Sequence, residues 1–231
     1  MPYRTRSDQQ ARSHQRLPVF VGAVSLAMVS GYVNVVVLGF FHVPVSHMSG
    51  AVSRLSIDLA TMDFVDLALV LSIIGGFLGG SVISGMVIGG RGFVPGRRYG
   101  VTLLIEGGLL AVAVVLLKDG VSLGVPVAAM ACGVQNAMAS SYYGLVIRTT
   151  HVTRIVTDVG VMLGHWLRHR RIRVWKFLLL SSILIGFFVG GIIGALAHRL
   201  IGVSALALAS AGCITAGTIY YAWYHRRARA R

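Results

Sequence analysis

Apolar residues along the chain fall into six long runs, at 17–41, 64–90, 100–117, 121–147, 177–197 and 202–223, separated by short polar or basic stretches. A helix rises about 1.5 Å per residue, so ~20 apolar residues cross ~30 Å of hydrocarbon. Each run therefore predicts one membrane span. Two further segments, 46–61 and 150–164, have helical spacing but are too short and too polar to cross. They predict short helices, re-entrant or interfacial, one after the first span and one after the fourth. The break before 46–61 is placed at His42–Pro44, because proline disfavours helix in the residue before it. Ser46 is the expected cap of the helix that follows.

The two short segments repeat each other. Residues 46–55 read SHMSGAVSRL and residues 150–159 read THVTRIVTDV, so Ser46, His47, Ser49, Val52 and Ser53 meet Thr150, His151, Thr153, Val156 and Thr157. Upstream, Ala27-Met28 and Gly31-x-x-Asn34 match Ala129-Met130 and Gly133-x-x-Asn136. Downstream, Gly75-x-Phe77-x-Gly79-Gly80 matches Gly186-x-Phe188-x-Gly190-Gly191. The halves are 18–118 and 119–224, with a disordered basic tail at 1–17 and a basic tail at 225–231. Three spans in each half is an odd number, so the second half enters the membrane from the opposite face. The fold class expected is an all-α membrane protein of two inverted three-helix repeats, an arrangement that recurs in transporters with a substrate site between the repeats.

Composition agrees. The 231 residues are 55% hydrophobic and only 12% charged, with mean hydropathy +0.77, where a soluble domain carries about 25% charged residues. The net charge of +14 would suggest nucleic acid in a soluble protein. Here it reads as the cytoplasmic bias of Lys and Arg that sets orientation. With both termini cytoplasmic, the tails, the 91–98 loop and the 147–176 linker hold 18 of the 21 Lys and Arg residues. The apolar run after the basic start exceeds a secretory h-region and has a mid-chain counterpart, so it reads as a retained span. No nucleic-acid partner is expected.

Several polar residues inside this apolar frame are candidates for chemistry. Ser46, Ser49, Ser53 and Ser56 share one helical stripe, as do Thr150, Thr153 and Thr157, and such a stripe lines a wet path or packs helices closely. The paired His47 and His151 favour function, and the paired Asn34 and Asn136 hydrogen-bond a solute or glue helices together. Arg154 and Asp58 read as residues at the water edge. Glu106, six residues into the third span, and Asp158 are candidates for proton coupling, with a structural ion pair as the other reading of Glu106. Glycines at four-residue spacing in the second and fifth spans predict close packing, with a homodimer interface as another use. The amphipathic basic linker 165–176 orients the chain and can bind anionic lipid. Cys132 and Cys213 fit neither a metal site nor a disulfide framework. Nothing calls for a cofactor or a metal, and no motif of an enzyme is present.

The runs GYVNVVVLGFFHVPVSHMSG and GVQNAMASSYYGLVIRTTHVTRIVTDVGVMLG resemble the YoaK family of small bacterial membrane proteins, over nearly the whole chain after residue 17. The resemblance implies a six-span protein of the bacterial inner membrane and carries no substrate or catalytic residue with it. Asn34 stands where the family commonly has Asp, and Arg154 where it usually has Gly. The expected function is a secondary transporter or channel for a small solute, with a substrate site formed by Asn34, His47, Ser49, Ser53, Asn136, His151, Thr153 and Thr157. The alternative is an assembly factor or sensor whose repeat serves packing alone. An intramembrane enzyme using His151 and Asp158 ranks last, because no nucleophile lies near them in sequence.

Overall fold

A computed structural model describes residues 16–41, 45–89, 97–140, 151–170 and 172–229. The expected N-terminal tail, the break at His42–Pro44, most of the 91–98 loop, the end of the fourth span and Thr150 lie outside the described residues. Those described are helical throughout: α1 (Arg16–Phe41), α2 (Met48–Thr61), α3 (Phe64–Ile88), α4 (Arg97–Lys118), α5 (Gly124–Ser140), α6 (Val152–His169), α7 (Val174–Ile201) and α8 (Ala205–Arg229).

Among the described residues, four helical stretches are long and apolar enough to cross a membrane: 17–40, 64–88, 97–118 and 174–226. The last is 53 residues, about 80 Å if straight, but it is broken at Gly202, whose φ of 58° lies in the left-handed region, into α7 and α8. Side chains such as Leu71, Leu78, Val112, Val115, Ile185 and Phe188 point outward and exposed, as a hydrocarbon solvent requires. These features are those of a multi-pass membrane protein.

Helices associate where backbones meet through glycine, since lipid offers no hydrophobic drive to bring them together. α1 lies along α7, α3 along α5, and α4 along α8 and α5. A Cβ on Gly31 would strike the Phe187 carbonyl, and one on Gly133 would strike the Phe77 carbonyl. Gly190 likewise faces the Met28 carbonyl and Gly80 the Met130 carbonyl. Contacts of α1 with α7 thus have counterparts in those of α5 with α3. They also correct the sequence register by one residue. Phe77 corresponds to Phe187 rather than Phe188, and Gly80 to Gly190 rather than Gly191. Gly75 has open space beside it, so the glycine that meets the neighbouring helix is Gly76, matching Gly186.

The two short helices differ from expectation at their starts. α2 begins at Met48 with His47 as its cap residue, and that cap makes no side-chain hydrogen bond. Ser46 is not the cap, because its hydroxyl donates to Asn34 Oδ1 at 2.7 Å instead. α6 begins after His151 and runs into the expected linker as far as His169. Both end on a left-handed residue, Met62 after α2 and Arg170 after α6, whose N–H closes the last turn.

Candidate functional site

α2 spans 14 residues, about 21 Å. From the start of α3 to Phe77 is a similar length, so α2 runs from the level of the middle of α3 back to the end where α3 begins. Arg54 fixes that outer end, with Nε 2.8 Å from Asp58 Oδ1 and Nη2 2.6 Å from Asp66 Oδ2 in the first turn of α3. Asp58 itself is buried. α6 has the corresponding relation to α7. Its first residue, Val152, borders one groove with Leu184, Phe187 and Phe188, in the middle of α7, and its body is joined to the start of α7 by Lys176 Nζ and Asp158 Oδ2 at 3.4 Å.

The beginnings of α2 and α6 therefore meet near the middle of the bundle. Between them is a cavity of about 720 Å³, lined by Ser46, His47, Met48 and Ser49 from one side and His151, Val152, Thr153, Arg154 and Thr157 from the other, with Phe77 and Asn136 completing the wall. Six of the eight residues expected to bind solute line it: His47, Ser49, Asn136, His151, Thr153 and Thr157. Asn34 stands behind it, buried and holding Ser46 in place. Ser53 lies outside the lining and bonds back to the Ser49 carbonyl.

The hydroxyl stripes serve two ends. Ser53, Ser56 and Thr157 each donate to the carbonyl four residues before them, which satisfies the hydroxyl without a neighbour helix, and Thr157 still borders the cavity. The His47 ring packs edge-on against Phe187, centroids 5.8 Å apart. A neutral imidazole at His47 offers one donor and one acceptor. Neither cap histidine spends its side chain on its helix. The leading N–H groups of α2 and α6, which have no intrahelical acceptor, begin at this space.

Arg154 is a lining residue outside the set expected to bind solute. It is the third residue of α6, hence within about 5 Å along the helix of its start, and it borders the cavity. The ion pairs described do not include it. Gln135 is a second residue that the sequence reading passed over. It accepts from Ser30 Oγ at 2.7 Å and donates to the Leu26 carbonyl at 3.1 Å, tying α5 to α1.

The two proton-coupling candidates are elsewhere. Glu106 is buried among α4, α5 and α8. Asp158 is partly exposed and paired with a partly exposed Lys176. A pair so placed is worth well under 1 kcal/mol. Asp158→Asn is accordingly expected to move the unfolding midpoint in detergent by no more than about 0.5 kcal/mol; a shift of several times that would mean the pair holds α6 in place.

A family model matches residues 22–219, from early in α1 to late in α8 and so across both short helices and the whole cavity. The chain belongs to the DUF1275 family of proteins of unknown function. No curated protein and no solved structure matches it. The DUF1275 match leaves out the basic residues at either end, so the family is defined by the helical body that holds the cavity.

Proposed function

We propose that this DUF1275 chain is a secondary transporter or channel for a small polar solute, with its site in the cavity between the starts of α2 and α6. The carrying observation is that a space of about 720 Å³, near the middle of an otherwise apolar bundle, is bordered by matched polar residues from both halves. The proposed architecture is six spans, α1, α3, α4, α5, α7 and α8, arranged as two inverted repeats, with α2 and α6 as re-entrant half-helices. The matched glycine contacts of α1–α7 and α5–α3 support it. So does the cap-and-start geometry that α2 and α6 share.

In this reading both termini are cytoplasmic, following the distribution of Lys and Arg. The resemblance of the two long motifs to YoaK proteins points to a bacterial inner membrane. Positive helix ends at α2 and α6, with Arg154 beside them, favour a solute carrying a negative charge or an exposed carbonyl. His47, Ser49, Asn136, His151, Thr153 and Thr157 supply the hydrogen bonds that replace its water.

The test is swelling of proteoliposomes in iso-osmotic formate, acetate, chloride, urea or glycerol. Entry of the carbonyl-bearing or anionic probes faster than into empty liposomes, slowed in a His151→Leu, Thr153→Leu double variant that still folds, is the expected result. Rates equal to those of empty liposomes for every probe would remove the reading and leave the repeat as a packing device.

A further inference from the structure

A second polar group lies deep in the bundle and belongs to a different place. Glu106 is the tenth residue of the 22-residue α4, near its middle, and is 1% exposed. Its carboxyl is hydrogen-bonded with Cys213 of α8 and has Cys132 of α5 beside it. Oε2 is buried with no hydrogen-bond partner among the described residues. The described ion pairs do not reach it. A carboxylate at that depth without a cation is strongly disfavoured, and a proton removes its charge. Two thiols are poor company for an alkali or alkaline-earth ion, which needs six or so oxygens. Among the described residues no group of three His, Cys, Asp or Glu side chains could hold a metal.

Cys213 also has a second face. It borders a narrow apolar cleft of about 190 Å³ between α1, α4, α5 and α8, together with Leu26, Tyr99, Leu103, Gln135 and Tyr220. All these lie toward the end where α1 and α4 begin and α5 and α8 finish. Toward the other end the same four helices are closed. There the Tyr32 hydroxyl donates to the Ala205 carbonyl at 2.8 Å, and Val36, Val37, Leu117, Val125 and Leu206 pack together. Cys213 thus borders both the buried carboxyl and the cleft.

We propose that Glu106 is the group through which this protein takes up and releases a proton, exchanging it through the α1/α4/α5/α8 cleft with the side on which the chain begins, and that Cys213 governs that contact. Release breaks the Glu106 O–H bond and passes the proton to water entering the cleft; the carboxylate left behind accepts the Cys213 thiol hydrogen bond. Uptake reverses this. The titratable groups facing the carboxyl are Cys213 from α8 and Cys132 from α5. The proposal deepens the transport reading by naming the coupling ion, and rests on that reading for its purpose.

The probe is a hydrophobic carbodiimide, which adds to a protonated carboxyl in an apolar setting and leaves a stable acylurea. The full chain in lipid nanodiscs is treated across a pH series and the modified residue is found by mass spectrometry. Glu106 is expected to be modified at pH 7, with the rate falling about tenfold or more as pH rises past the point where the group ionises. Ala216→Trp, which fills the cleft, slows modification. Glu106→Gln, an isostere of the protonated form, abolishes modification at this position and unfolds at the wild-type temperature. An unmodified Glu106 at pH 7, or a rate that responds to neither pH nor Ala216→Trp, overturns the proposal. Modification of Glu106 with the α2/α6 cavity inaccessible to water would keep the proton site and discard the solute path. The reverse pattern would keep the path and discard the proton site.

Discussion

Gly80→Val and Gly190→Val are each expected to destabilise the folded protein by about 3 kcal/mol, whereas Gly75→Ala changes stability by about 1 kcal/mol or less. At both positions the added Cβ meets a backbone carbonyl of the neighbouring helix, that of Met130 for Gly80 and that of Met28 for Gly190. A side chain in the way can rotate aside, but a carbonyl in a helix can move only with its helix. The substitutions therefore force α3 from α5 and α1 from α7, along the two contacts that hold the ends of the cavity in register. Packing of this kind is what drives helices together in lipid, so little else compensates. Gly75 has nothing within reach of a Cβ and serves as the internal control. Unfolding midpoints in a denaturing detergent titration measure all three. Equal effects at Gly75 and Gly80 would mean that the helices do not meet on these faces.

Much of this architecture is legible in the residues, and what is not has definite physical causes. Long apolar helices follow from apolar run length, a one-dimensional property, and the matched SHMSGAVSRL and THVTRIVTDV segments mark the two short helices because both start with the same polar kinds. Their first residues are harder to read. Ser46 has a good capping side chain, but its partner is Asn34, twelve residues earlier in sequence, and only tertiary packing brings that amide within reach. The one-residue slip between Gly79 and Gly190 has a similar origin. Counting aligns glycines with glycines, while contact depends on which direction a missing Cβ would point.

Charge counting groups Arg154 with the basic linker, while α6 carries Arg168 and His169 at its far end and its start, with Arg154, lies about 20 Å away beside the cavity. Matched polar residues inside apolar runs are conspicuous in the sequence, and the cavity gathers most of those expected to bind solute. Six of the eight come together. Ser53 does not, and its hydroxyl is satisfied by its own backbone. Gln135 was overlooked beside the more conspicuous Asn136. The signal available was its place in an apolar run one residue from a matched amide.

The central claim is that the starts of α2 and α6 border a water-filled space near the middle of the membrane. It is tested most directly by thiol accessibility. Cysteines are placed at Ser49 and Thr153, both in the cavity lining, in a background with the buried Cys132 and Cys213 replaced by alanine. A cysteine at Leu78, which is 62% exposed on the outer face of α3, reports the hydrocarbon. Small membrane-impermeant thiosulfonates are applied to the protein in liposomes. The account predicts that cysteines at 49 and 153 react while the one at 78 stays inert, because only thiolate in contact with water reacts. Cysteines at 49 and 153 as unreactive as the one at 78 would contradict it, and the half-helices would then be packing elements without a path between them.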